Sequence, residues 1–265
     1  MPNKYQKEVP FRGGGFTPKP IMYIGPIVFI FLIGFLEWGT STGWISDLTL
    51  PKPSGVFQVF IELHNSGLLY KHLIPSLTRL IVGSFMGVTL GIGIGLLIGL
   101  FNLVRAGLLP VVAALFPVPK IALLPLFVIW FGIDEGSKYA LIALGTFTPT
   151  VVATYAAIDN VDRNFIRMGQ SFGLTWISIV RKIVLPGALP GILSGLRISL
   201  AIGIILLVAA EMLGATYGIG AYVLEAGSLY DLERLFAGVT ILSIIGVIIN
   251  WFVGVVERKL LKWRT

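Results

Sequence analysis

The sequence predicts an all-α, polytopic membrane protein of about six transmembrane helices, and three observations carry that reading. Of 265 residues, 55% are hydrophobic and only 12% charged, with a mean hydropathy of +0.89, whereas a soluble domain carries about 25% charged residues. The apolar runs are long enough to cross about 30 Å of hydrocarbon at about 1.5 Å per residue. No run of about ten residues alternates apolar with polar as a membrane strand would, so a helical bundle is predicted over a barrel.

Residues 1–20 form a basic tail with Lys4, Lys7, Arg12 and Lys19. The apolar run 21–36 that follows has the charge and length of a signal peptide. Glu37 and Trp38 stand where a small-residue cleavage site would be needed, so 21–40 reads as a retained first span. The connection 41–75 contains an amphipathic helix starting near Ser54, with Val56, Phe57, Phe60, Ile61 and Leu63 on one broad face. It is expected on the membrane surface or against the bundle. His64 and His72 lie in or near it. No further ligand is spaced to complete a metal site, and they read as ordinary interfacial histidines.

The second span, 76–101, places Gly83, Gly87, Gly91, Gly95 and Gly99 at every fourth position, with Gly93 added. In water each glycine costs a helix about 1 kcal/mol relative to alanine. Small residues at this spacing open a flat groove that lets another helix approach closely. The stripe is therefore a packing face, static or sliding during a conformational cycle. The third span, 106–118, contains Pro110 and Pro117, with Pro119 and Pro125 beyond, and reads as kinked and followed by a re-entrant or interfacial piece. Spans four, five and six fall at 138–157, 192–213 and 236–256, and 258–265 is a tail. The main membrane domain is 76–257. Pro186 and Pro190 precede the fifth span, alongside Gly187, Gly191 and Gly195, and predict that no continuous helix enters it from the preceding segment. Six crossings put both termini on one side. That side holds 14 of the 20 Lys and Arg and is cytoplasmic by the positive-inside rule.

No enzymatic constellation is present. The chain has no Cys, which excludes disulfides and thiolate chemistry. It has no GxxxxGK[ST] phosphate loop, no HExxH and no GxSxG, so it is not expected to hydrolyse ATP or to bind a cofactor of its own. Charges inside spans are costly, about 2.5 to 3.5 kcal/mol at a helix centre, and usually face protein or water. Four qualify: Glu37, Arg79, Arg197 and Glu211. The first three lie near helix ends, where snorkelling explains them as readily as function does. Glu211 is deeper, and either pairs with a basic group in the bundle or serves at the outer end of a pathway.

The segment 158–190 is the anomaly. Helix connections in bundles take about 2 to 8 residues, and about thirty are used here. Val161, Phe165, Met168 and Phe172 fall at helical spacing, while Asp162, Arg163, Arg167 and Gln170 point elsewhere. Gly173 is placed to end that helix as a left-handed cap, and Thr175 to cap a second helix with an apolar face of Trp176, Ile179, Val180 and Ile183. The segment thus reads as helix, break, helix and a proline stop at Leu185-Pro186.

Here Met168-Gly169, three residues, Gly173, nine residues and Ile183-Val184-Leu185-Pro186 resemble the cytoplasmic signature of bacterial ABC importer permeases, Glu-Ala-Ala-x3-Gly-x9-Ile-x-Leu-Pro. The stretches LPKPSGVFQVF, HLIPSLTRLIVGSFMG, LPLFVIWFGID, LPGALPGILSGLR, VAAEMLGATYGIG and ERKLLKW are similar to the nitrate/sulfonate/taurine type, so the resemblance covers roughly 49–264. One departure stands out: Arg167 occupies the glutamate position, and Met168 and Gly169 the two alanine positions.

The resemblance implies the type I ABC importer permease fold, importing a small anion such as an aliphatic sulfonate, taurine, nitrate or bicarbonate. It makes 158–190 the coupling segment, with Arg163, Arg167, Met168, Gly169, Ser171, Phe172, Gly173, Leu174, Thr175, Trp176, Leu185 and Pro186 at the ATPase contact. By the cost of a charge within a span, Arg79, Arg197 and Glu211 are candidates for a translocation path or gate. The implied partners are two ATP-binding subunits that carry the ATP and Mg, a second permease copy, a periplasmic or lipid-anchored binding protein and membrane lipid. No nucleic acid is expected, and the location is the bacterial inner membrane. The competing reading, a secondary transporter or channel, predicts function without an ATPase and an inverted internal repeat, and no such repeat is found.

Overall fold

The computed structural model describes residues 23–262; the predicted tail 1–20 and the last residues of the tail 258–265 lie outside them. Every regular element among the described residues is helical. Five helices are long and apolar enough to cross a membrane, and six if one bent pair counts as a single span. The chain divides into two compact units, Met1–Gly55 and Val56–Thr265.

In the first unit, α1 spans Ile24–Ser41 and its apolar side chains are exposed. Glu37 finds a partner within this unit. Its two carboxylate oxygens accept from the backbone N–H and the hydroxyl of Ser54 at 2.9 and 2.8 Å, at the start of α2, Pro53–Asn65. A carboxylate there satisfies free N–H groups and meets the positive end of the helix dipole.

In the second unit, α2 packs on the bundle through Val56, Val59, Phe60 and Leu63, against a core containing Leu80, Ile219, Tyr222 and Ile241. Phe57 and Ile61, placed by the sequence on the same broad face as Val56, Phe60 and Leu63, are exposed. A helical stripe at i, i+3, i+4 and i+7 buries Val59 and turns those two outward. The next helix, α3, runs from Leu68 to Leu100 and so starts well before the expected residue 76. It continues through Pro75, as membrane helices do where neighbours take up the freed backbone groups.

The kinked third span is two pieces. Helix α4, Asn102–Leu115, and the segment Lys120–Phe131 meet at 91°, the second comprising a 3-10 turn, Lys120–Leu123, and α5, Leu124–Phe131. Pro117 and Pro119 sit in the break, where no helix can propagate. Lys120 Nζ donates to the carbonyls of Leu115 and Phe116 and so caps the end of α4.

Helix α6, Glu135–Asp159, is the centre of the bundle, packed on α3 along one side and α9 along another. The glycine stripe of α3 is its seat. A Cβ on Gly83 would lie 2.7 Å from Ile142 Cβ, on Gly91 2.7 Å from Thr150 Cβ, and on Gly95 2.5 Å from Thr154 Cβ. The hydroxyls of Thr146, Thr150 and Thr154 each donate to the carbonyl one turn back, so Thr150 and Thr154 turn methyl groups to Gly91 and Gly95, and Thr146 its oxygen to Gly87, without leaving a donor unpaired. On the other side Gly191 and Gly195 receive Ala157 and Ala153 in the same way.

The predicted proline stop is corrected by the structure. Two short helices, α7 (Arg163–Ser171) and α8 (Trp176–Ile179), follow α6; α8 then passes through one π-helical turn, Val180–Val184, into α9, Leu185–Gly214. Together 176–214 form one run of 39 residues. The Leu185 N–H donates to Val180 O, five residues back, and this wider turn makes room for the ring of Pro186, which needs no N–H partner. Helix α10, Ile219–Ser228, is not among the predicted elements. The last, α11, Leu232–Leu260, starts at Asp231, whose carboxylate accepts from Arg234 N–H at 3.0 Å.

Candidate functional site

Two regions carry the chemistry, at opposite ends of the α3, α6 and α9 core. The first is the hairpin of α7 and α8. Asp162 caps α7 by accepting from Asn164 N–H at 2.8 Å. At its other end Leu174 N–H reaches Gly169 O at 3.0 Å and Gly173 N–H reaches Gln170 O at 2.9 Å. With Gly173 at φ +72°, this is a Schellman closure, which only glycine makes without strain. Thr175 then caps α8, its hydroxyl accepting from Ser178 N–H.

The inward face of the hairpin is not the one the apolar spacing suggested. Val161 and Gly169 are buried, with Ile166 half-buried, whereas Phe165, Met168 and Phe172 are exposed, as are Leu174, Trp176 and Ile177. Gly169 faces inward because a Cβ there would fall 2.8 Å from Ile183 Cδ1. On the second helix Ile179 is buried, and joins Val184, Ala188, Ile158 and Val161 in anchoring the hairpin to the ends of α6 and α9. Trp176 packs on Phe101, ring centres 5.5 Å apart.

Arg163 and Arg167 are exposed, and among the described residues their side chains make no hydrogen bond or ion pair. The Ser171 hydroxyl returns to Arg167 O at 3.0 Å. Leu185 and Pro186 are half-buried in the first turn of α9. At the same end Arg105 forms a two-fork pair with Asp159, 2.7 Å each.

The second region is a buried charge cluster at the far end. Glu211 is 1% exposed. Its carboxylate accepts from Arg79 Nη1 at 2.8 Å, Gly220 N–H at 2.8 Å and the Ser76 hydroxyl at 2.7 Å. Ser76 in turn accepts from Ile219 N–H at 2.8 Å, and His72 Nδ1 lies 2.9 Å from Gly218 O. The glycines of the 215–220 loop are required by contact: a Cβ on Gly218 would lie 2.5 Å from the Glu211 carboxyl carbon. Arg79, 4% exposed, completes its fork with Glu135 through Nε and Nη2 at 2.7 and 2.6 Å, and Nη1 also reaches Tyr217 O at 2.6 Å. Removing one partner from so buried a pair costs about 3 to 5 kcal/mol.

Arg79 and Glu211 are thus brought together, and Arg79 does not snorkel. Arg197 is not with them. It lies fourteen residues before Glu211 on α9, roughly 21 Å along the axis, and pairs with Glu257 of α11. His72 is buried rather than interfacial, while His64 meets Tyr70 Oη at 3.3 Å. Sequence reasoning does not pick out Ser76, Glu135, Lys138 or the structural part of His72. A usable signal exists: His72, Ser76 and Arg79 recur at i, i+4 and i+7 on one face of α3. Near this end burial pushes the Tyr222 phenol up to about 12, and its hydroxyl has no hydrogen-bond partner among the described residues.

The described residues thus form a helical bundle with an exposed apolar hairpin at one end and a buried charge cluster at the other. The chain belongs to the binding-protein-dependent transport system inner membrane component family, whose model matches residues 87–262. It is 39% identical over 222 residues to the aliphatic sulfonates transport permease protein SsuC of Bacillus subtilis, covering 84% of this chain and 80% of that protein. It is 38% identical over 224 residues to the taurine transport system permease protein TauC of Escherichia coli, covering 83% and 82%. The fold matches the inward-facing MetNI methionine ABC transporter with a TM-score of 0.64 at 22% identity, over 74% of this chain and 97% of that one. The chain is therefore a permease subunit of the inner membrane that works with a separate ATPase and a substrate-binding protein.

Proposed function

We propose that the chain forms half of the translocation pathway of an ATP-driven importer for a small organic anion of the aliphatic sulfonate or taurine class, with nitrate and bicarbonate as the next alternatives. It pairs with a second copy of itself, keeps both termini in the cytoplasm and docks one of two ATPase subunits through the α7–α8 hairpin. ATP and Mg are held by those ATPase subunits. The observation that carries the reading is the exposed face of Phe165, Met168 and Phe172 on a hairpin wedged against the core. Apolar side chains held out at the basic, water-facing end of a membrane protein fit a protein partner. Arg163 and Arg167, without a side-chain partner among the described residues, are positioned for acidic groups on that partner.

The continuous run from Trp176 to Gly214, roughly 58 Å at 1.5 Å per residue, starts beside the hairpin and contains Glu211 near its other end. Motion imposed by an ATPase at one face therefore reaches the charge cluster at the other through a single helix. The substrate class is supported by the sulfonate and taurine permeases among the relatives.

The test is reconstitution of the permease with its ATPase and binding protein in proteoliposomes. ATP-dependent uptake of taurine or methanesulfonate is expected, with loss of ATPase association when 161–186 is deleted. Uptake by the isolated permease in ATP-free vesicles would overturn the motor assignment. Failure of every sulfonate in the presence of ATP and binding protein would overturn the substrate class. Cross-linking between copies tests the homodimer.

A further inference from the structure

We propose that Arg79 and Lys138 form an anion-binding station at the outer end of the helix core, with Glu135 as a built-in substitute that occupies it in this conformation. The inference rests on the small-anion reading above. A cavity of about 670 Å³ opens there, lined by Arg79, Glu135, Lys138, Gly214, Thr216 and Tyr217 among others. Two cations at this site are almost wholly buried, Arg79 at 4% and Lys138 at 3% exposed.

The two carboxylates that serve Arg79 are not equivalent. Glu211 has no exposed side-chain surface and is held by Ser76 and Gly220 as well as by Arg79, so it is fixed. Glu135 has 46% of its side chain exposed and, among the described residues, bonds only to the Arg79 fork. It occupies that fork with two parallel oxygens, the geometry in which a sulfonate, nitrate or carboxylate meets a guanidinium. It also sits in the first turn of α6, where a rotation carries its carboxylate into water.

Lys138 supplies the second contact. Its ammonium donates to the carbonyls of Ile133 and Asp134, 2.9 Å each, and forms no ion pair among the described residues. An ammonium has three donors, so one remains. Lys138 lies three residues after Glu135, hence on the same side of α6, and the N-terminus of that helix adds partial positive charge.

Charge balance gives the selectivity. Arg79 and Glu211 cancel, as do Lys138 and Glu135, while Asp134 is exposed to solvent and offers the ammonium its carbonyl. When Glu135 swings out, one buried positive charge is uncovered. A monovalent anion replaces it without net charge in the site, and a neutral solute of the same shape does not.

The experiment uses the permease assembled with its ATPase subunits in lipid nanodiscs, titrated calorimetrically with methanesulfonate and with neutral, similarly sized dimethyl sulfone. E135Q is expected to bind methanesulfonate at least about tenfold more tightly than wild type, since close charge pairs couple by more than that. Adding K138Q should remove the gain, and dimethyl sulfone should bind to none of the three. Equal affinity in wild type and E135Q, a gain that survives K138Q, or a matching gain for dimethyl sulfone overturns the station. If E135Q does not assemble, E135D takes its place with the same expected gain and reversal, because the shorter carboxylate cannot hold both fork bonds. ATP-driven uptake separates this proposal from the reading beneath it. No sulfonate uptake by wild type alongside tighter binding by E135Q removes the substrate class and leaves the station. Sulfonate uptake by wild type with no gain in E135Q does the reverse.

Discussion

Replacing Gly87 by alanine adds one methyl group at the tightest point of the α3–α6 seam. A Cβ there would lie 2.2 Å from both the Ala143 carbonyl oxygen and the Thr146 hydroxyl oxygen, roughly 1 Å closer than carbon and oxygen tolerate. The carbonyl belongs to the α6 backbone and cannot turn aside. The hydroxyl is committed to Ile142 O at 2.9 Å. The two helices must therefore separate locally, which also loosens the neighbouring contacts at Gly83 and Gly91. Overpacking of this kind costs about 1 to 3 kcal/mol. Gly93, in the same helix but off the stripe, has nothing within 4 Å of the position its methyl group would take, and alanine there gains up to about 1 kcal/mol of helix propensity.

The assay is fluorescence-detected thermal unfolding of the detergent-purified complex at one fixed scan rate, since membrane assemblies often unfold irreversibly. At about 2 to 4 °C per kcal/mol for a chain of this size, Gly87→Ala should melt about 2 to 12 °C below wild type, and Gly93→Ala at or slightly above it. Equal melting of the two variants would refute the claim that the stripe exists for helix approach.

Four further outcomes are expected. Glu211→Ala leaves Ser76, Gly220 N–H and part of Arg79 without a partner and should cost about 3 to 5 kcal/mol, read by the same melt; an unchanged midpoint would show that the cluster does not hold the far end. Gly173→Ala meets no atom within 4 Å but must adopt φ +72°, so its cost of about 1 to 2 kcal/mol is purely conformational. Asparagine at the same position should recover part of it. Phe172→Asp, at a residue 78% exposed, should alter stability by less than about 0.5 kcal/mol while abolishing co-purification of the ATPase; retained co-purification would exclude Phe172 from the docking face. The Tyr222 phenol, pushed up to about 12 by burial against an ordinary value of 10.0, contributes stability below about pH 10 that is lost as pH rises towards 12. Tyr222→Phe should remove that alkaline loss at no cost near neutrality, because the hydroxyl has no partner among the described residues, and a pH series of melts reads it.

The caps at Gly173 and Thr175 and the glycine seam are legible in the sequence because each is a local rule: a left-handed residue, a side-chain oxygen before a helix, a four-residue repeat. The run through Pro186 is not. Local rules make proline a stop, and only the π turn at Val180–Val184, stabilised by the packing of Ile183 and Val184 in the cluster with Ala157, Ile158 and Val161, converts it into part of a longer helix. The orientation of the hairpin escapes the sequence for a related reason. Spacing identifies Phe165, Met168 and Phe172 as one face, but apolar character does not say whether a face meets the chain's own core or another protein.

By itself, the sequence determined the membrane class, the all-helical fold and the absence of the familiar enzymatic motifs, since length, hydropathy and short-range signatures are properties of contiguous residues. Tertiary structure alone decided which charges meet. Arg79 and Glu211 are 132 positions apart, as Arg79 and Glu135 are 56, and a buried ion needs only a partner, with no rule of spacing to announce it. The same holds for Arg197, grouped with Arg79 and Glu211 by charge and placed by the fold at the other end of α9.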